Sequence, residues 1–345
     1  MKAIKIQKPK SVTLEDIPIP EPKPEEVVLE LAALGLCGSD LKTYRGENPL
    51  ITYPRIPGHE FAGKLVTVGT EVPFNVSQQL PKGQLVTISP YTSCGICPAC
   101  KDGRVNTCQN NKTLGVQQDG AGRELLSIHY SKVFPVQDYS LSPQLAALTE
   151  PISVGYHAVN RAEIKAKEKV LIIGCGVIGL GAIIAASYKG AVITVMDIDQ
   201  NKLSLAKNFG AASFLNNSTS VPEKEIMDLT AGEGFDVVVE AVGNKTTYEQ
   251  ALKLVRVAGR IVYIGYVNKP APLTTKYIVS KELDIRGSRN AFNHEIASVL
   301  KILSDKKYDF STLISQTYPL EKADEAFLYW HEHASDVTKI LLYRQ

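Results

Sequence analysis

The strongest constraint on how this chain folds lies in its second half. There, apolar and β-branched runs begin near Val170, Val192, Ser213, Phe235, Ile261 and Leu283, recurring every twenty-odd residues. Helix-like segments fall between them, such as Leu203–Phe209 closed by Gly210 and Tyr248–Ala258 closed by Gly259. Strand alternating with helix implies parallel βαβ units, because only a crossover connection returns the chain to begin a parallel strand. Six such strands predict a doubly wound sheet within an α/β fold. The alternation stops after Gly287, where a helix near His294–Leu303 and a last strand, Val337–Tyr343, are expected. Residues 1–150 read differently. Short strands, frequent Pro and Gly turns and few helical periods predict a separate β-rich domain.

The first of the six strands, Val170–Ile173, runs into Gly174-Cys175-Gly176-Val177-Ile178-Gly179 and then a helix ending near Gly190. A G-x-G-x-x-G turn placed after a strand and opening a helix is a dinucleotide-binding signature. Gly174 permits the tight turn, Gly176 lets a pyrophosphate approach the backbone, and Gly179 lets helix and strand pack closely. Val177 and Ile178 open the helix, whose free N–H groups would meet the phosphates. The next strand ends at Asp197, 23 residues after Gly174. A carboxylate there can accept both ribose hydroxyls and repels a 2′-phosphate, so NAD is expected rather than NADP. The plainer alternative is that Asp197 caps the following helix. Cys175 reads as a small hydrophobe in the turn.

With 345 residues the chain is long enough for two domains, and its 44% hydrophobic content excludes disorder. A net charge of +2 gives no sign of nucleic acid or an anionic membrane as partner. The uncharged stretch Val170–Tyr188 has the length of a membrane span, but its four glycines and β-branched start fit a strand, a turn and a buried helix better. The N-terminal Met1–Ile6 alternates like a strand and lacks the apolar core of a signal peptide. A cytoplasmic protein with reduced cysteines is therefore expected.

Four of the six cysteines, Cys94, Cys97, Cys100 and Cys108, crowd into fifteen residues. Such spacing suits a tetrahedral metal site better than a disulfide framework. A ferredoxin-type cluster is the rival, but Pro98 lies inside the run and no second cluster motif exists. Zinc is expected, in a closed structural site. A zinc-ribbon nucleic-acid module is disfavoured by the few basic residues, Lys101 and Arg104, in the loop. A second constellation is spread more widely: Gly35-Leu36-Cys37-Gly38-Ser39-Asp40, Pro57-Gly58-His59-Glu60 and Thr149-Glu150-Pro151. A Cys, a His and a Glu from separate loops form a mixed ligand set suited to catalytic zinc. Each also has an ordinary reading as core thiol, capping histidine or surface glutamate.

These segments, in this order and spacing, resemble the zinc-dependent medium-chain alcohol/polyol dehydrogenase family over essentially the whole chain. Glu150-Pro-Ile-Ser-Val-Gly-Tyr-His157-Ala is similar to its sorbitol dehydrogenase-like branch. The resemblance implies a GroES-like catalytic domain, 1–152 completed by 291–345, and a Rossmann NAD-binding domain, 153–290. It implies Cys37 and His59 as zinc ligands, with Glu60 and Glu150 both candidates for the third. Ser39 would take the alcohol proton, and Asp40 would accept a hydrogen bond from the ligand histidine. Lys202, Val242, Ile264, Gly265, Ser288 and Arg289 would line the cofactor cleft.

The implied activity is NAD-linked oxidation of a secondary hydroxyl of a polyol, sugar acid or related sugar derivative to the ketone. Lys42 stands where many relatives pass the proton to solvent through a histidine; it either joins the relay or is simply solvated. Tyr44, Arg45 and Arg289 are candidates to hydrogen-bond the substrate, with polyol and sugar acid equally open. A homo-oligomer joined near Leu283–Gly287 is implied. A non-catalytic NAD- and zinc-binding regulator of the same fold is the alternative, and the zinc-free quinone reductase branch would lack both cysteine sites.

Overall fold

Residues 1–138, 140–219, 223–267 and 269–344 are described by a computed structural model. The chain divides into two units, Met1–Glu150 with Phe292–Gln345, and Pro151–Ala291. In the first, β1 (Lys2–Lys8) and β2 (Ser11–Asp16) form an antiparallel ribbon. They are followed by β3 (Glu26–Leu36), β4 (Glu60–Val68), β5 (Leu85–Ile88), β6 (Leu125–His129) and β7 (Val133–Pro135). The second unit contributes β8 (Lys169–Ile173), β9 (Val192–Asp197), β10 (Ser213–Asn216), β11 (Phe235–Glu240), β12 (Val255–Tyr263) and β13 (Asp284–Gly287). The chain then adds β14 (Gln316–Pro319) and β15 (Ile340–Tyr343) to the first unit.

The large sheet of the first unit runs β14-β15-β3-β4-β5-β7, with β6 also paired to β3. The long β3, EVVLELAALGL, is buried at most positions because it lies inside the sheet with strands on both edges. Its core joins Leu29, Leu34, Leu36, Phe61 and Ile88 to Phe327 and Trp330 of the helix Ala323–Glu332. Full burial of a side chain such as Phe327 contributes about 1.5–3 kcal/mol, so the C-terminal segment is integral to this core.

In the second unit six strands lie in the order β10-β9-β8-β11-β12-β13, all parallel, with the direction of winding reversing between β8 and β11. Strands β8 and β11 are nearly continuous hydrophobic runs, as expected for strands covered on both faces. The uncharged stretch proves to be β8, the glycine turn and a buried helix, Val177–Tyr188. Among the described residues, no helix is long and apolar enough to cross a membrane.

Several boundaries differ from expectation: the helix expected over Leu203–Phe209 is Gln200–Lys207, and the strand expected near Ile261 begins at Val255. The helix expected over Tyr248–Ala258 is Lys245–Leu254, and Val255 already belongs to β12. Lys281 Nζ donates to the carbonyls of Leu252, Lys253 and Val255 at 3.0, 2.8 and 2.7 Å, taking up orphan acceptors at the helix end. The β-branched Val255 and Val257 then favour the strand. At the C-terminus the last strand starts at Ile340, three residues later than expected.

The strand–turn–helix joint of the second unit depends on Gly179. A Cβ there would lie 1.8 Å from the carbonyl oxygen of Gly174, so any side chain must part the helix from the turn. Gly179→Ala is expected to cost about 1–3 kcal/mol, measured by denaturant unfolding. An unchanged midpoint would contradict this packing.

Candidate functional site

Strand register assembles a cluster at one end of the first unit's sheet. β3 ends at Leu36, and Cys37 then caps the N-terminus of the helix Gly38–Arg45. On one side β4 pairs Glu60 with Gly35; on the other, β15 pairs Ile340 with Leu36. Three adjacent strands thus deliver Cys37, Glu60 and Lys339 to one place, and His59 precedes Glu60. Ligand atoms of Cys37, His59 and Glu60 all lie within 4.8 Å of one another. Glu60 fits only because residue 35 is glycine, since a Cβ there would sit 2.0 Å from Glu60 Oε2.

The Glu60 carboxylate is held by a group that sequence reasoning missed. Lys339 Nζ donates to Oε1 at 2.7 Å and Oε2 at 2.6 Å, and to the Leu36 carbonyl at 2.9 Å. The two side chains are 1% and 0% exposed. Burial alone would lower the Lys339 pKa, but Glu60 and Cys37 reverse this and raise it. Glu150, at the start of the helix Thr149–Arg161, accepts a hydrogen bond from the buried Tyr91 hydroxyl, a second partner not foreseen. Burial raises the Glu150 pKa, with His59 opposing. Burial and the Glu150 charge together hold the Tyr91 hydroxyl well above its ordinary value.

Asp40 does not bond His59 as expected. Its carboxylate accepts the Cys37 N–H at 2.9 Å and the Gly58 N–H at 3.3 Å. At the third helical position its short side chain reaches back to the helix cap, as capping geometry favours. It fixes the backbone on both sides of the cluster and acts on His59 only through charge. Burial would lower the His59 pKa, but Cys37, Asp40 and Glu150 raise it well above the ordinary value. His59 Nδ1 and Ser39 Oγ are both buried without a hydrogen-bond partner. Two unsatisfied polar atoms beside thiol, imidazole and carboxylate donors fit a site for a cation and a polar ligand.

The neighbouring substrate candidates are engaged elsewhere. Tyr44 stacks on Phe327 at 5.4 Å, and Arg45 donates to His331 Nδ1 at 3.0 Å. Lys42 is solvent-exposed.

The cysteine quartet is separate and self-contained. Its four sulfurs lie within 4.8 Å of one another, with Cys97–Cys108 at 3.9 Å and Cys94–Cys108 at 3.6 Å. Sulfurs about 2.3 Å from a tetrahedral zinc stand about 3.8 Å apart, whereas a disulfide needs about 2 Å. All four are free thiols. Backbone N–H groups of Ile96 and Cys97 pull Cys94 down to about 6, while burial holds Cys100 at about 11. Donors built into the loop therefore already favour thiolate at Cys94.

In the second unit the expected cofactor residues follow the carboxyl ends of the parallel strands. Gly174 comes after β8, Val242 after β11, Ile264 and Gly265 after β12, and Ser288 and Arg289 after β13. Gly176 caps the helix Val177–Tyr188, and a Cβ placed on it would meet no atom within 4 Å. Open space therefore lies before the helix N-terminus that Val177 and Ile178 begin. Asp197 ends β9, its Oδ2 accepting the Cys175 N–H at 2.7 Å and Oδ1 the Asp199 N–H at 3.0 Å. Asp199, not Asp197, caps the next helix, accepting from Asn201 and Lys202 N–H, which leaves Asp197 for another role. Ser288 Oγ is buried without a partner. Ligands of doubly wound sheets bind at such strand ends, where the winding reverses.

Residues 177–305 match the zinc-binding dehydrogenase family, and residues 23–138 match the alcohol dehydrogenase GroES-like domain. Sorbitol dehydrogenase of Bacillus subtilis is 33% identical, covering 99% of this chain and 97% of its own. L-Galactonate-5-dehydrogenase of Escherichia coli is 31% identical, covering 95% and 94%. The crystal structure of the alcohol dehydrogenase RspB from E. coli CFT073, complexed with NADH, superposes with a TM-score of 0.90 at 29% identity, covering 99% of both chains. With both matched regions, two cysteine-bearing clusters and the glycine turn in place, the chain belongs to the zinc-dependent medium-chain alcohol/polyol dehydrogenases, oxidoreductases that act on hydroxyl groups.

Proposed function

We propose that this protein oxidises a secondary hydroxyl of a polyol or sugar acid to the ketone, reversibly and with NAD. The observation that carries the reading is the mutually close cluster of half-buried Cys37 with buried His59 and Glu60, and the unpartnered Ser39 hydroxyl two residues after Cys37. Relatives named for sorbitol and for L-galactonate support the substrate class, and the NADH-bound RspB structure supports the cofactor. The first unit serves as the catalytic domain and the second as the nucleotide domain.

Cys37, His59 and Glu60 would hold the catalytic zinc, and Cys94, Cys97, Cys100 and Cys108 a structural one. Glu60 is favoured over Glu150 as third ligand because its carboxylate, not that of Glu150, lies in the mutually close set. When bound, the ion supplies Lewis acidity that eases loss of the hydroxyl proton, and NAD supplies the hydride acceptor. Ser39 takes the departing proton, its buried oxygen being free to accept it. Glu150, aimed by Tyr91, orients a substrate hydroxyl. Asp40 keeps Cys37 and the Gly58–His59 backbone in place. Asp197 holds the ribose hydroxyls, oriented by the N–H groups of Cys175 and Asp199. The edge strand β13, exposed at Asp284, Ile285 and Gly287, would pair with a second copy in a homo-oligomer.

Metal analysis should find two zinc ions per chain. Cys37→Ser should retain one and lose turnover by roughly a thousandfold or more, equivalent to about 4 kcal/mol. A Cys37→Ser variant with full activity would remove this mechanism. For the cofactor, wild type should show the higher kcat/KM with NAD, and Asp197→Ala should narrow the preference by about tenfold or more. Preference for NADP in wild type would overturn the assignment. NADH production measured across hexitols, pentitols and aldonates should be greatest within those classes; activity confined to simple primary alcohols would contradict the polar site.

A further inference from the structure

Lys339 is the strongest feature of the first unit that the proposed chemistry does not use. An ammonium group with 1% exposure is costly to bury, and among the described residues its carboxylate partner is Glu60, held through both oxygens. Its third donor goes to the carbonyl of Leu36, the residue before Cys37. The lysine thus grips the side chain of one expected zinc ligand and the backbone leading into another. The strand register places it there, and Gly35 leaves the space through which Glu60 reaches it. The carboxyl groups of Asp40 and Glu150 lie close enough for Glu60 to oppose ionisation of both, so a fixed cation beside Glu60 offsets that repulsion.

We propose that Lys339 is a positioning residue for the catalytic zinc, holding Glu60 in ligand position and balancing its charge. The inference rests on the zinc reading given above. It differs from a purely architectural role, in which the ion pair would only fasten β15 to the sheet and leave metal affinity untouched.

The test is zinc affinity, measured by competition with a chromophoric chelator on apo protein reloaded with zinc alone. Lys339→Met should weaken the Cys37 site by about 10- to 100-fold, the usual cost of losing a residue that orients a ligand. The quartet should still hold its zinc, which serves as an internal control for folding. Because Lys339→Met leaves a buried carboxylate unpaired and can fail to fold, the Glu60→Gln variant and the Glu60→Gln/Lys339→Met double variant complete the cycle. In the Glu60→Gln background, loss of Lys339 should cost little further affinity, since the lysine acts through Glu60. An affinity within about twofold of wild type in Lys339→Met, or an equal loss in both backgrounds, would overturn the proposal. A wild-type protein binding a single zinc would instead overturn the functional reading, and this inference with it.

Discussion

The first unit is organised around a charge problem solved in a dry place. Cys37, Asp40, His59, Glu60 and Glu150 converge, and all but Cys37 are essentially removed from water. Burial penalises every charged form there, so each group needs a fixed partner. Lys339 takes both oxygens of Glu60, Tyr91 donates to Glu150, and backbone N–H groups satisfy Asp40. What remains without a partner, Ser39 Oγ and His59 Nδ1, is what a bound ion and a substrate hydroxyl would engage. Cys37, Glu60 and Lys339 stand at or next to the ends of three neighbouring strands, so sheet register and not a long loop brings them together.

The second unit meets its demand by backbone geometry instead of buried charge. Its parallel strands end on one edge, and Gly176, which caps the helix after β8, leaves open space before the helix N-terminus. Asp197, at the end of β9, is oriented by two backbone donors, the N–H groups of Cys175 and Asp199. The separation of tasks explains how the two units read so differently. One is built on alternating strands with chemistry at their ends, the other on a regular βα winding.

Legibility in the sequence followed the range of the interaction. The βα alternation and the glycine turn were readable because their periods and spacings are local. The quartet was readable because four thiols stand within fifteen residues. Lys339 was not, because Val337-Thr338-Lys339-Ile340 reads as an ordinary strand entry and its partner stands 279 residues away. Tyr91 gave no signal for the same reason, lying 59 residues from Glu150. For Asp40 the resemblance implies the ligand histidine as partner, whereas its carboxylate accepts the Cys37 and Gly58 N–H groups, because capping geometry competes for its oxygens. Tyr44 and Arg45 are only candidates for substrate contact in the sequence, because their stacking on Phe327 and bonding to His331 join residues far apart in the chain, Arg45 and His331 by 286 positions.

The central claim is that an ion occupies the Cys37, His59 and Glu60 donors as well as the quartet. Zinc-edge X-ray absorption of the fully loaded wild-type protein reads the donor atoms directly. One site with four sulfurs and one with a single sulfur average to about 2.5 sulfurs per zinc, with nitrogen or oxygen near 2.0–2.2 Å completing the shell. A spectrum of sulfur donors alone, about four per zinc, would mean that the strand-end cluster holds no metal and would contradict the account.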